Sequence, residues 1–126
     1  MMWPNPEDLA AEILAHRAPV VTFLPSDLQA RLPLLRVRSL GGSDDEITDI
    51  SRVAVDAYAA TRDQAWDLAR GARHDLVDRP TATAAGLLDR AETEVGPQEI
   101  PYGNRAVRYV TATYRLHARR TAAEAS

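Results

Sequence analysis

The stretch EITDISRVAVDAYAATRDQAWDLA, residues 46–69, changes its hydrophobic period halfway along. In its first half Val53, Val55 and Ala57 alternate with polar residues, which is the pattern of a half-buried strand. The opposite face of this strand carries Arg52, Asp56 and Tyr58. From Thr61 onward the apolar residues recur every three or four positions, which predicts an amphipathic helix. The stretch therefore predicts a strand that leads directly into a helix.

Two signals give the bounds of this helix. Thr61 and Gln64 match a capping box, in which the Thr61 hydroxyl accepts from the Gln64 amide and the Gln64 side chain reaches back to the Thr61 amide. Pro80 disfavours a helical conformation at the residue before it, so the helix should end near Asp78. The apolar stripe that should face a sheet consists of Ala65, Leu68, Ala69, Ala72 and Leu76. We expect a helix over residues 61–78.

The segment before this stretch predicts one more helix and one more strand. Apolar residues at helical spacing predict a helix over residues 6–17. A short apolar run follows at residues 20–24, and one helical turn is expected between Pro25 and Pro33. Over residues 34–42 leucine and valine alternate with arginine, which predicts a strand that ends at a pair of glycines.

The segment after the helix predicts two strands. Residues 81–86 are small and read as a connection, and residues 87–95 alternate imperfectly. Two prolines and two glycines make residues 96–104 a turn-rich connection. The clearest alternation of the chain then predicts a final strand over residues 106–119. Its outward face carries Tyr109, Thr111, Thr113 and Arg115.

The order of these elements is α-β-β-α-β-β, which predicts an α+β fold. We expect a four-stranded, mainly antiparallel or mixed sheet with the N-terminal helix and the long helix packed on one face. Residues 1–126 are long enough for a single domain with its own core. Residues 1–5 and 121–126 have no anchor and should fray.

The composition excludes several chemistries. All 15 basic residues are arginine, so the lysine of a Walker-type phosphate loop or of a Schiff-base enzyme is missing. The chain has no cysteine, which excludes thiolate nucleophiles and cysteine-bound metals. A net charge of −3 gives no general basic field for DNA. No segment reaches the roughly 20 apolar residues of a membrane span, so we expect a soluble, unexported protein.

No motif predicts a catalytic, metal or cofactor site. His16, His74 and His117 have no metal-ligand spacing and read as ordinary structural positions. An acidic group lies between the first two predicted strands and consists of Asp44, Asp45, Glu46 and Asp49. It lacks the glycine and the distal glutamate of a calcium loop, so we interpret it as a solvated connection.

Two sets of residues are candidates for contact with other proteins. Trp66 lies one residue off the apolar stripe of the long helix and, with Arg70 and Arg73, could form a contact patch on its flank. Tryptophan and arginine are enriched at interface hot spots, although a tryptophan at the edge of a core is equally common. The second set is the outward face of the final strand, Tyr109, Thr111, Thr113 and Arg115, which is either an ordinary solvent face or a subunit interface.

Two segments give a resemblance to a known family. They are LLRVRSLGGSDDEITDISRVAVDAYAATRDQAWDLA, residues 34–69, and DRAETEVGPQEIPYGNRAVRYVTATYRLHARR, residues 89–120. Their ordered strand, helix and final-strand motifs resemble the tail terminator proteins of long-tailed bacteriophages, also called tail completion proteins. These are scaffold motifs, so no functional residue carries over from the family.

The resemblance implies a structural virion protein without enzymatic activity or cofactor. It implies a homo-oligomeric, hexameric ring at the head-proximal end of the tail, made in the host cytoplasm. Such a ring ends polymerisation of the tail tube, contacts the major tail tube protein, and presents a docking face to the head-side connector. The genome passes through its channel without sequence-specific binding, and no membrane is involved. The acidic group at residues 44–49 would face the lumen or the tube.

Two alternatives remain open at this stage. A head-side neck stopper or adaptor would share the size, the acidity and the lack of chemistry. A small-molecule-binding α+β domain would need a pocket between helix and sheet, yet the facing positions are mostly alanine, valine and leucine. A polar cavity lined by Tyr58, His74 or Tyr114 would favour that last alternative.

Overall fold

The computed structural model describes residues 5–44, 49–78, 80–84 and 86–119, with side chains over the same ranges except at residues 42–44, 49 and 119. Two α-helices, one 3₁₀ helix and six strands follow one another along these ranges. They are α1 (Pro6–Leu14), β1 (Val20–Val21), the 3₁₀ helix Leu28–Arg31, β2 (Leu34–Asp44), β3 (Asp49–Ala59), α2 (Arg62–Val77), β4 (Thr81–Thr83), β5 (Gly86–Ile100) and β6 (Arg108–Arg119). Within the same ranges, no helix is long and apolar enough to cross a bilayer.

The strands form one mixed sheet in the order β1-β2-β3-β6-β5-β4. β1 pairs in parallel with β2, and every other neighbouring pair is antiparallel. The predicted α+β class and the mainly antiparallel or mixed sheet are therefore confirmed. The predicted number of four strands is wrong, because β1 and β4 add one short strand at each border of the sheet. Strands of two and three residues are too short to show an alternating period, which is why the sequence pattern missed them.

The helix α1 is shorter than predicted. Asn5 caps it, since its Oδ1 accepts hydrogen bonds from the amides of Glu7 at 2.8 Å and Asp8 at 3.2 Å. The helix ends at Leu14 rather than at Arg17, and residues 15–17 form a turn. The turn places the Arg17 side chain against α2, so these residues join the two helices rather than extend the first.

The helix α2 follows the sequence prediction closely. It spans Arg62–Val77, and the Thr61 hydroxyl accepts from the Gln64 amide at 3.2 Å, which confirms the predicted N-cap. Its buried residues are Ala65, Ala69, Ala72 and Leu76, the predicted stripe with Leu68 only partly buried. Small alanines let the helix backbone lie close to the sheet.

The two helices cover one face of the sheet, which we call the helix face. It carries Val53, Val55 and Ala57, all buried. The opposite, outer face of the same strand was predicted to be exposed, and that prediction is wrong for most of β3. Ala54, Asp56 and Tyr58 are at most 2% exposed. β3 is the most deeply buried strand because neighbouring strands flank it on both sides and side chains cover both of its faces.

The cover of the outer face has two parts. At the Tyr58 end, the 3₁₀ helix and the connection after β5 contribute a second apolar cluster of Leu28, Leu34, Tyr58 and Val107. The rings of Tyr58 and Tyr109 stack at 4.7 Å with an interplanar angle of 5°. Farther along the sheet the cover is polar and is described below.

The strand β5 is longer than predicted. It continues through Gly96 and Pro97 to Ile100, so the connection predicted at residues 96–104 begins only at residue 101. The pairing with β6 shifts register between Val95 and Gln98, and such a bulge accommodates proline at the border of a sheet. A further bulge, in β2 after Ser39, uses Gly41 at φ +95°, a conformation that favours glycine.

Candidate assembly interface

A buried carboxylate lies at the centre of the outer face. Asp56 is 0% exposed, and its two oxygens accept hydrogen bonds from side chains on both neighbouring strands. From β2, Arg36 Nε donates at 2.9 Å, and Arg38 donates through Nε at 2.7 Å and Nη2 at 3.2 Å. From β6, the Tyr109 hydroxyl donates at 3.0 Å and the Thr111 hydroxyl at 2.6 Å. One side chain therefore links three adjacent strands.

The surroundings keep Asp56 ionised. Burial is the largest single influence on its pKa and acts to raise it, but hydrogen bonds from Arg38, Thr111 and Arg36 outweigh burial and hold the pKa below its ordinary value. The same contact with Asp56 raises the pKa of Arg38. Burial also raises the pKa of the adjacent Tyr58 hydroxyl. The cluster is thus a paired charge network rather than a proton donor or acceptor.

A more exposed ion cluster lies next to it on the outer face. Glu94 sits at a register shift of β5 and accepts from Arg52 on β3 at 2.5 Å and from Arg115 on β6 at 3.3 Å. The hydrogen bond from Arg52 is the main cause of a lowered Glu94 pKa. Because water screens such pairs, this cluster contributes less to stability than the Asp56 cluster.

The structure places the predicted residues of the last strand on the outer face, as expected. Tyr109, Thr111 and Thr113 are half-buried, and Arg115 is exposed. Tyr109 and Thr111 hold Asp56 and Arg115 holds Glu94, so these side chains contact their own chain. Their role in a subunit interface stays a prediction.

The structure brings Trp66 and Arg70 of the predicted patch on the long helix together with Arg62, which was not predicted, whereas Arg73 contacts Thr93 instead. The guanidinium carbons of Arg62 and Arg70 lie 5.8 and 5.2 Å from the centre of the Trp66 ring. Trp66 packs partly against the core, and its buried Nε1 has no hydrogen-bond partner among the described residues. Tryptophan and arginine are residue types that are enriched at interface hot spots.

This patch, together with Arg73, forms what we call the α2 flank: Arg62, Trp66, Arg70 and Arg73. The α2 flank packs against β5, since Arg62 Nε donates to Glu99 at 3.0 Å and Arg73 Nε donates to Thr93 at 3.2 Å. It therefore lies on the helix face, whereas Tyr109 and its neighbours lie on the outer face. The structure does not bring the two predicted sets together.

The acidic group lies at the tip of the β2–β3 hairpin. The backbones of Asp44 and Asp49 pair with each other and close the hairpin. Asp45 and Glu46 lie outside the described residues, as do the side chains of Asp44 and Asp49. The prediction that this group faces a lumen or a tube is therefore untested.

Asp56 is the residue that the sequence pattern missed. It was assigned to the polar side of a half-buried strand, with no special role. One signal was present: a carboxylate in the middle of a valine and alanine strand is unusual, since aspartate is depleted in strands. Arg36 and Arg38 on the neighbouring strand alternate in step with it, and that pairing could have indicated a buried ion cluster.

A cleft between α1 and α2 is lined mainly by charged and polar side chains. This cleft of about 370 Å³ is lined by His74, as the ligand-binding alternative required, together with Ile13, His16, Asp75, Asp78 and Thr81. Its charged groups pair with one another: Asp75 with Arg17 and His16, and Asp78 with His74. Across the described ranges, no three histidine, cysteine or acidic residues are placed to hold a metal ion.

Comparisons with known proteins identify relatives of this architecture. The family described as phage tail termination protein matches residues 2–124. No curated protein matches the chain. Among 21 matching chains of solved structures is one from the virion of a native gene transfer agent particle. It is 13% identical, has a TM-score of 0.60, and the match covers 90% of this chain and 87% of that chain, which shows a shared fold.

Proposed function

Because the chain belongs to the phage tail termination protein family, a structural component of the virion tail, we propose that it ends tail-tube polymerisation by capping the tube as a ring. The ring is hexameric, contacts the major tail tube protein on one side, and docks the head-side connector on the other. The genome passes through its centre without base-specific contacts.

The family match over residues 2–124 is the observation that carries this proposal. The family is one of structural virion proteins rather than enzymes, which agrees with a molecule built around buried ion pairs and apolar packing. On the outer face, Arg36, Arg38 and Arg52 are held by carboxylates on other strands of the sheet. Rigid surfaces favour assembly, since less side-chain freedom is lost on contact.

The α2 flank supports a contact between subunits in this ring. Trp66 and Arg70 present an aromatic ring and a cation at its surface, the residue types that dominate interface energetics. The outer face of β6, with Tyr109, Thr111, Thr113 and Arg115, contributes a second contact. The acidic hairpin tip at residues 44–49 faces the lumen or the tube, where its negative charge disfavours binding to the genome.

Electron microscopy of particles from a phage that lacks this protein tests the function. Overlong tail tubes are expected, because nothing stops their growth. Tubes of normal length that fail to join heads would instead assign the protein to the head-side stopper role. Normal, joined particles would exclude both roles.

Native mass spectrometry of protein mixed with tail tubes tests the α2 flank. Trp66→Ala combined with Arg70→Ala should weaken ring formation. Arg31→Ala is a matched control, since Arg31 is exposed and pairs only with the nearby Asp27 in the described part of the chain. If the double variant assembles as well as the control, the α2 flank is not a ring contact.

A further inference from the structure

The sheet has a long open stretch at each border. β1 pairs only with Leu35 and Arg36, so β2 has one strand neighbour, β3, over residues 37–44. β4 pairs only with residues 86–88, so β5 has one strand neighbour, β6, over residues 90–100. No other described strand lies beside either stretch. Backbone groups on such open edges are ready to pair with another strand.

The direction of the free backbone groups can be read from β1. The amide of Leu35 donates to the carbonyl of Pro19 at 2.9 Å, on the side away from β3. Backbone groups of alternate residues point to the same side of a strand. The amides of Val37 and Ser39 therefore also point away from β3, toward the open edge.

Each open edge carries an exposed apolar side chain. Leu40 on β2 is 39% exposed and Val95 on β5 is 42% exposed. They are two of the four large hydrophobic residues that the described side chains leave exposed, with Phe23 and Tyr102. Leu40 lies on the outer face by strand alternation, and the register shift between Thr93 and Val95 pairs Val95 with the outer-face residue Thr113. A contact between the two edges would cover both side chains at once.

The two edges also differ in charge. On the outer face, β2 carries Arg36 and Arg38, whose side chains are 20% and 39% exposed. β5 carries Glu92 and Glu94, with side chains 45% and 22% exposed, and also Arg90, which is 66% exposed and pairs with Glu92, so that the acidic charges are in excess by one. A cationic edge and an anionic edge attract each other, whereas two copies of the same edge repel. This complementarity favours contact between unlike edges of two copies.

We propose that the ring closes by strand addition, with β2 of one copy pairing with β5 of the next copy into a continuous sheet. The occupant of each edge is a second copy of this chain. This inference rests on the ring proposed above and names its contact. β2 and β5 run in opposite directions within the sheet, so a rotation about an axis along the strands brings them together antiparallel. Contact between unlike edges is head-to-tail and generates rings.

The α2 flank extends this contact. It overhangs β5 on the helix face, where Arg62 and Arg73 hold Glu99 and Thr93. Pro97 has no amide hydrogen to donate, so the paired part of β5 is residues 90–95. The β2 edge of the neighbouring copy would contact this segment. The residues of that copy that lie on the helix face beside its β2 edge would contact the α2 flank.

Disulfide trapping tests the proposal, because the native chain contains no cysteine. Leu40→Cys is combined in turn with Val95→Cys and with Glu92→Cys, so that a small offset in register does not hide the contact. Within one chain the β2 and β5 edges are three strand spacings apart, about 14 Å, which is too far for a disulfide. Oxidation is carried out on the protein assembled on tail tubes and analysed by denaturing, non-reducing electrophoresis.

At least one of the two double variants should give a reducible ladder up to the number of subunits in the ring. Each single variant should give dimers at most. As a matched control, Arg31→Cys with Val95→Cys should give no ladder. If neither double variant exceeds its single variants while rings are visible on the tubes, strand addition is wrong and the proposed function stands. If no rings form on tubes with the native protein, the proposed function itself is wrong.

A backbone variant gives an independent test. Ser39→Pro removes the outward amide at an exposed position and leaves the pairing with β3 in place, and Ser39→Ala retains that amide. Circular dichroism checks that both variants fold. Ser39→Pro should reduce ring formation at least tenfold relative to Ser39→Ala. Equal ring formation by the two folded variants would overturn pairing through β2.

Discussion

Replacing Asp56 with alanine removes the charge that links β2, β3 and β6. Five hydrogen bonds are lost together, three from arginines and two from hydroxyls. Arg36 and Arg38 then keep their positive charges in a partly buried place without a counter-ion. The variant should fold less stably because desolvated cations without a partner are costly.

The magnitude follows from the burial of the carboxylate. Breaking a buried ion pair by removing one partner costs about 3–5 kcal/mol, against a total stability of about 5–15 kcal/mol for a domain of ordinary size. With a urea m-value of about 1.5 kcal/mol/M, the unfolding midpoint should fall by about 2–3 M. Asp56→Asn keeps the shape and one acceptor oxygen, so its loss should be smaller.

Urea unfolding followed by circular dichroism measures these differences. Asp27→Ala is the control, since Asp27 and its partner Arg31 are both more than half exposed and the midpoint should stay unchanged. An Asp56→Ala midpoint within experimental error of the native protein, at an unchanged m-value, would refute the reasoning. It would mean that the buried carboxylate stabilises the fold no more than a surface ion pair does.

The lowered pKa of Asp56 adds a pH dependence with a definite sign. A carboxylate with a depressed pKa in the folded state stabilises the fold above its unfolded pKa, about 3.9, and loses that effect as pH falls through the folded pKa. The stability difference between the native protein and Asp56→Asn should be constant from about pH 5 to 7 and shrink below about pH 4. A difference that is the same at every pH would contradict this assignment.

Three further predictions concern the helices and one buried tyrosine. Thr61→Ala removes the α2 cap and should cost about 1 kcal/mol in urea unfolding, whereas Thr61→Ser should cost much less. A side-chain carbon at Gly71 would meet the Arg17 guanidinium within 2.5–2.8 Å. Gly71→Ala should therefore raise the free energy of unfolding by about 1 kcal/mol in an Arg17→Ala background and by clearly less in the native protein. Equal effects in the two backgrounds would contradict the contact. Burial raises the pKa of Tyr114 to about 12, so ultraviolet titration of the folded protein should show this hydroxyl ionising well above pH 10. Its contribution to stability should be present below pH 10 and lost as pH rises through the folded pKa. A normal titration of Tyr114 near pH 10 in the folded protein would contradict its burial.

The sequence predicted the strand–helix junction well because both periods are strong there and the Thr61 cap marks the change. It also predicted the outward alternation of β6 correctly. It failed on β1 and β4, since strands of two or three residues exist only through pairing with a longer strand. It also ended β5 too early, because proline and glycine signal a turn in isolation and a bulge in the context of a neighbouring strand.

Asp56 shows the limit of reading one strand at a time. Alternation identifies the face on which a side chain lies, but it does not say what covers that face. The covering groups come from residues 18 to 20 positions before Asp56 and about 55 positions after it. Only the strand order brings them together, so the burial of this carboxylate follows from topology rather than from local pattern.

The Asp56 cluster has a mechanical consequence. A sheet held only by backbone ladders can shear, because neighbouring strands slide when their hydrogen bonds exchange partners. The Asp56 carboxylate accepts hydrogen bonds from Arg36 and Arg38 on one side and from Thr111 on the other. Sliding β2 or β6 along β3 would therefore break hydrogen bonds to this charged group. The central strands should therefore act as one stiff plate, and a load applied to one border of the molecule reaches the other with little loss to internal slippage.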